Sequence, residues 1–256
     1  MNYKIVLDAG HGGYDFGSVY GNRIEKEETL KLVLAIGEIL ENAGIEILYT
    51  RTYDKYITPT IRAQIANEEN AHLFVSVHKN HSDNPNTYSG VQTIVSDPVG
   101  IQYVIADNIH RKLNETGFDS IGIDAMKNVD VLKKTKMPAF VIKLGFINTE
   151  ADNLIVDKEF NSIAEMIASG ILEVVGSINS DEIKTYTYRV QVGDFRVLSN
   201  AIKLQRKLID MGYPVYLSKR NEYYIVSVGE YYNEEEANAI LYELNQKGIE
   251  GFVVAL

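Results

Sequence analysis

Residues 3–51 read YKIVLDAGHGGYDFGSVYGNRIEKEETLKLVLAIGEILENAGIEILYTR. An apolar run, KIVLDA, ends at a glycine-rich turn. A stretch with helical spacing follows, and a second apolar run, IEILYTR, closes the unit. Leu30, Val33, Leu34, Gly37 and Leu40 recur at three- and four-residue intervals, which turns one side of the helix inward. The same rhythm continues to about residue 176, through TIRAQIANEENA, HLFVSVH, GVQTIVS, IQYVIADNIHRKLNET, PAFVIKLGF and EFNSIAEMIASGILEVVG. Strands alternating with helices in this way predict an α/β domain whose mostly parallel central sheet is flanked by helices. Chemistry in such sheets gathers at the carboxyl ends of the strands.

SINSDEIKT, over residues 177–185, is polar and without hydrophobic period, which reads as a linker. Beyond it lies an internal repeat. The stretch from Tyr188 aligns without gaps on the stretch from Tyr224, so that Tyr188, Val190, Val192, Gly193, Ala201, Leu208 and Gly212 recur as Tyr224, Val226, Val228, Gly229, Ala237, Leu244 and Gly248. Each copy reads strand, turn, helix, glycine, strand, and the pair predicts a small α+β domain of βαββαβ type. The expected organisation is residues 1–176, a linker over 177–185, and a second domain over 186–256.

The 256 residues are 45% hydrophobic and 23% charged, the composition of a globular protein of one large or two unequal domains. Net charge is -10 and no run of Lys and Arg occurs, which argues against a nucleic-acid partner held by phosphate neutralisation. The tail from Tyr186 carries 8 basic and 9 acidic residues, so the acidity belongs to the first domain. With no cysteine, disulfides, thiolate nucleophiles and Cys-type zinc sites are excluded, and any metal falls to His and carboxylate. MNYKIVLDAGHGG has no apolar export core, which predicts a chain made in the cytoplasm without a signal peptide. No apolar stretch nears the roughly 18 residues of a membrane span.

Three of the five histidines sit in suggestive places. His11 lies among glycines after the first strand, and His78 ends the run LFVSV, with His81 three residues on as its alternative. Glu25 precedes the first long helix, where a carboxylate also suits the helix macrodipole. Two imidazoles and a carboxylate from separate elements match a zinc site with one open position. Each residue also has an ordinary reading, as surface histidine or helix-terminal acid, and spacing alone leaves both open. Asp8 and Asp15 flank His11 and offer either imidazole support or turn and capping duty. Arg62 reads as a bridge from its helix to a nearby loop or carboxylate.

DAGHGGYDFGSVYGNRIEK, YTRTYD, IRAQIANEENAHLFVSVHKN, SGVQT and VLKKTKMPAFVIKLGFINTEAD together resemble the zinc-dependent N-acetylmuramoyl-L-alanine amidases that cut peptidoglycan. The resemblance implies one Zn²⁺ per chain, held by His11, Glu25 and His78. YRVQVGDF and the following NA pair resemble the SPOR domain, which implies binding to glycan strands of peptidoglycan. Asn80, Gln191 and Phe195 are the candidate substrate-binding positions that follow. Without an export signal, the expected route to the wall is lysis of the producing cell or a phage-made hole.

One position departs from that family. Its members carry a glutamate in an E-x-G-F pattern, the proposed general base; here the stretch reads AFVIKLGF and Lys143 stands there. An ammonium cannot accept a proton and is repelled by a nearby cation. The departure leaves two readings, an amidase with weakened turnover and a catalytically inert peptidoglycan-binding protein. A zinc peptidase cutting within the stem peptide is a third.

Overall fold

The computed structural model describes residues 3–96, 98, 100–126, 128–177, 188–220, 222–231 and 233–255. The expected linker falls outside them except for Ser177. Two compact units result, the first built on a six-stranded sheet and the second on a four-stranded one.

The larger unit runs β1 (Lys4–Ala9), the short pair β2 (Val19–Tyr20) and β3 (Arg23–Ile24), α1 (Glu25–Asn42), β4 (Glu46–Tyr49), α2 (Pro59–Glu68), β5 (Leu73–Asn80), β6 (Val91–Val95), α3 (Ile101–Asn114), β7 (Ser120–Ala125), α4 (Asp130–Lys134), β8 (Ala139–Phe146) and α5 (Glu150–Ser177). Its six-stranded sheet has the order β4-β1-β5-β8-β6-β7. The β4, β1, β5 and β8 strands run parallel to one another, whereas β6 pairs antiparallel with β8. The sheet is thus mostly parallel and flanked by helices, as the alternation of runs predicts.

Side-chain alternation along each strand feeds two cores. Val6, Phe74, Ile94 and Val141 pack with Ala63 and Ala66 of α2 and with Val131 and Leu132 of α4. Each fully buried side chain of this size is worth about 1.5–3 kcal/mol. On α1 the buried positions include Leu32, Val33, Ile36, Gly37 and Leu40. The expected stripe therefore shifts, since Leu30 and Leu34 are only half-buried. Apolar residues cover most of this helix, so its period alone does not single out the inward side. Gly37 settles the orientation, because a Cβ there would stand 2.0 Å from the Tyr49 hydroxyl. The last helix starts at Glu150, ahead of the expected EFNSIAEM segment, and Glu159 has non-helical dihedrals where the two meet.

The smaller unit contains β9 (Tyr188–Phe195), α6 (Leu198–Asp210), β10 (Val215–Arg220), β11 (Tyr223–Tyr231), α7 (Glu234–Gln246) and β12 (Phe252–Ala255). Its sheet is antiparallel with the order β10-β11-β9-β12. The two repeat copies interleave, so that equivalent residues meet in one core: Val190 with Val226, Ala201 with Ala237, and Leu208 with Leu244.

His110 of α3 is buried between two hydroxyls, Thr93 Oγ1 at 2.8 Å from Nε2 and Ser120 Oγ at 2.7 Å from Nδ1. Burial pushes its imidazole down to about 4. Between the ordinary value of 6.5 and about 4 the unfolded chain binds more protons than the folded one. Its contribution is therefore complete above pH 6.5 and declines as pH falls through that window, by up to about 3 kcal/mol. Urea titrations of the chain and of His110→Gln should show the variant weaker at pH 7 and the gap closing toward pH 4. A gap independent of pH would contradict the assignment.

Candidate metal centre

Three segments converge above the carboxyl ends of β1 and β5. The turn after β1 carries His11, the first turn of α1 carries Glu25, and the end of β5 carries His78. Their donor atoms all lie within 4.8 Å of one another. His11 Nε2 and His78 Nδ1 each stand 3.1 Å from the same oxygen, Glu25 Oε1. The rings meet edge to face, with centroids 4.9 Å apart.

Glu25 is 3% exposed, and its carboxylate is fully engaged. Oε1 also accepts from the Lys79 backbone N–H at 2.9 Å, and Oε2 from that of Ser18 at 2.9 Å. Burial opposes its ionisation, but the hydrogen bonds and charge of His11 and His78 outweigh that and hold the carboxyl well below the usual carboxylate range. Glu25 also opens α1, at the positive end of the helix macrodipole, as its helix-terminal reading expects.

Asp15 takes a hydrogen bond from His11 Nδ1, at 3.0 Å to each carboxylate oxygen, and leaves Nε2 directed at Glu25. This carboxylate–imidazole pairing is the arrangement that orients metal-ligating histidines. Burial disfavours charge on His11, but Glu25 and then Asp15 outweigh it and raise the imidazole above its ordinary value. Metal uptake would displace that proton.

Two glycines leave room for the rings. A Cβ at Gly10 would stand 2.4 Å from His78 Cε1. One at Gly17, whose φ is 66°, would stand 2.6 Å from His11 Cδ2 and 2.8 Å from Glu25 Oε2. His11 itself is left-handed at φ 61°, an unfavourable conformation for a residue with a Cβ, which the surroundings must enforce.

Two buried arginines supply that enforcement. Arg51 donates to the carbonyls of Ala9 at 3.0 Å, Gly10 at 2.8 Å and Lys26 at 2.7 Å. Arg62 donates to those of Ala9 at 2.5 Å and His11 at 2.6 Å, and pairs with Asp8 at 2.7 Å. Asp8 does not reach His11; it also accepts from Thr50 and Ser76, each at 2.6 Å. Burial opposes its charge, yet Arg62 and the two hydroxyls hold the carboxyl below the usual range. Arg62 thus bridges its helix to a loop and a carboxylate. Arg51 carries the same duty without having stood out in the sequence, where YTRTYD offers no periodic signal for it.

The remaining candidates are not members of the His-Glu-His group. Lys143 of β8 sits beside His78 in the parallel register and opposite Gln92 of β6, half-buried and without a hydrogen bond or ion pair among the described residues. Asn80 donates to Gln92 Oε1 at 3.0 Å. Phe195 packs against the core of the smaller unit, and Gln191 lies on the opposite face of β9 from Val190. His81 is exposed and outside the cluster, and His72 accepts from the Lys4 backbone N–H at 2.9 Å.

Comparison with known proteins places this geometry. Residues 5–173 match the family model described as N-acetylmuramoyl-L-alanine amidase, and residues 184–255 match the SPOR domain. The chain belongs to the N-acetylmuramoyl-L-alanine amidase family. It is 31% identical over 207 residues to a sporulation-specific N-acetylmuramoyl-L-alanine amidase of Bacillus subtilis, covering 78% of each chain. It is 34% identical over 182 residues to an endolysin of Bacillus phage SPP1, covering 68% of this chain and 67% of that one. Among solved structures, the amidase AmiC2 of Nostoc punctiforme superposes with a TM-score of 0.64 at 29% identity, over 69% of this chain and 98% of that one. In this amidase domain the His-Glu-His group has the donor chemistry to hold a metal ion.

Asp15→Asn should lower metal affinity about 10- to 100-fold while leaving the fold intact, as read by competition with a chelating dye. Asp8→Asn should instead destabilise the domain by about 3–5 kcal/mol, because it strands the Arg62 charge, and urea unfolding reads that loss.

Proposed function

We propose that this amidase holds one Zn²⁺ through His11, Glu25 and His78 and cleaves the amide between the lactyl group of N-acetylmuramic acid and L-alanine in peptidoglycan, with turnover limited by Lys143. The observation that carries the reading is the convergence of two imidazole nitrogens on one buried carboxylate oxygen at 3.1 Å each. Neutral imidazoles with one carboxylate suit zinc, and no cysteine competes for the role. Zinc held by these three residues would supply Lewis-acid activation of water and of the scissile carbonyl.

The chain's own groups must then move protons. Amide hydrolysis needs a group that takes a proton from the attacking water and returns it to the leaving amine of L-alanine. A carboxylate at position 143, in register with His78, suits both tasks. Lys143 as an ammonium has no lone pair to accept with, and it adds positive charge beside a cation site. Loss of such assistance costs about 10²- to 10⁴-fold in rate. That same substitution favours the second reading, a protein that binds peptidoglycan and does not cut it.

We assign residues 1–176 to catalysis, 177–185 to a linker and 186–256 to glycan binding. A tethered second module raises the local concentration of scissile bonds without new catalytic contacts. The catalytic part carries nearly all the negative charge, so attraction to an anionic wall would come from specific contacts in both modules rather than from net charge. The site of action on this reading is the bacterial cell wall, reached after lysis or phage-assisted release.

Lys143→Glu should raise the release of intact stem peptides beginning at L-alanine by about 10²- to 10⁴-fold, followed by mass analysis of digested sacculi. High activity in the unmodified chain would overturn the inference about position 143. Fragments cut within the stem peptide would favour a peptidase. Elemental analysis should find one zinc per chain, lost in His11→Ala and in His78→Ala.

A further inference from the structure

The turn that carries His11 also carries an exposed aromatic group that the metal centre does not use. Gly12 and Asp15 close a tight backbone bridge, N to O at 2.9 Å and 3.1 Å, which puts Tyr14 at its tip. Tyr14 is 76% exposed, and its ring stacks on that of Tyr56, from the loop after β4, with centroids 4.3 Å apart and planes 30° apart. Large exposed rings cost free energy in water, and a stacked pair at the edge of a functional site points to a ligand with an apolar face.

The turn is pinned at Gly13, the residue before Tyr14. Asp54 accepts from the Gly13 N–H at 2.7 Å and from Lys26 Nζ at 2.7 Å, and Lys26 Nζ also donates to the Gly13 carbonyl at 2.9 Å. The next residue after Tyr14 is Asp15, whose carboxylate orients His11. Platform and metal centre are therefore two sides of one pinned turn. By strand order the tyrosines stand on the β4–β1 side of the centre, and Lys143 stands on the β8 side.

We propose that Tyr14 and Tyr56 form a sugar-stacking platform that takes the pyranose faces of the glycan strand next to the scissile amide. The proposal rests on the amidase reading, since the bond cut there hangs from a sugar of that strand. A pyranose offers an apolar face of C–H groups and a rim of hydroxyls, which matches a tyrosine ring with its apolar body and polar tip. Because the turn is fixed before binding, little ordering entropy opposes the contact. The glycan then lies toward β4 and the stem peptide toward β8.

The test uses the full chain with isotope-labelled tyrosine rings. Two probes are titrated, a peptide-free tetrasaccharide of alternating N-acetylglucosamine and N-acetylmuramic acid, and the dipeptide L-alanyl-D-isoglutamate. The Tyr14 and Tyr56 ring signals should shift and saturate with the tetrasaccharide and stay still with the dipeptide. In Tyr14→Ala the Tyr56 response should need about three- to tenfold more sugar, and Tyr14→Phe should behave as the unmodified chain. Still rings with the tetrasaccharide, or rings moved by the dipeptide, would overturn the platform. Zinc content and amide cleavage measured on the same samples separate the two readings. Zinc-loaded, cutting protein with silent rings sinks the platform alone, whereas sugar-shifted rings on protein that takes up no zinc support the platform and sink the zinc assignment.

Discussion

A carboxylate withdrawn almost wholly from water must be met by donors, and Glu25 is met by four nitrogens: His11 Nε2, His78 Nδ1 and the backbone N–H groups of Lys79 and Ser18. The need to satisfy that one group draws together the turn after β1, the first turn of α1 and the end of β5. The same arrangement leaves two imidazole nitrogens facing a common point. Holding a buried charge and gathering donors that could take a cation are here one structural demand.

The loop around His11 answers to the same constraint. Its carbonyls at Ala9, Gly10 and His11 point inward, and guanidinium groups of Arg51 and Arg62 satisfy them. Asp8, inside the sheet, balances Arg62 and ties the loop's position to β5 through Ser76. Gly10 and Gly17 then make space that any side chain would fill. The left-handed backbone at His11 persists because each of these contacts depends on it.

Much of this was legible in the residues. Alternating apolar runs and helical stretches specify an α/β sheet, and the glycine-flanked His11 and the strand-end His78 do come together there with Glu25. What escaped has physical reasons. Strand direction leaves no trace in periodicity, so antiparallel β6 reads like its parallel neighbours. The SIGIDA strand and the DVLKK helix are short and polar enough to resemble loop. Arg51 acts through hydrogen bonds to atoms that only the folded chain brings near, and the choice between imidazole support and turn duty for Asp15 stays open in the sequence because turn-forming aspartates look alike whether or not an imidazole waits beside them. In the tail the repeat told more, since Val190, Ala201 and Leu208 meet their copies in a single core. Phe195, whose ring could equally have faced a ligand, packs on that core.

On the proposed reading activity turns on position 143, while the three residues that would hold the metal, His11, Glu25 and His78, are all in place. The account stands on the cation site. X-ray absorption at the zinc edge of the zinc-loaded chain tests it most directly. Two imidazole nitrogens at about 2.0–2.1 Å with carboxylate oxygen at about 2.0–2.2 Å are expected. A shell of oxygen alone, with no imidazole scattering beyond it, would contradict it.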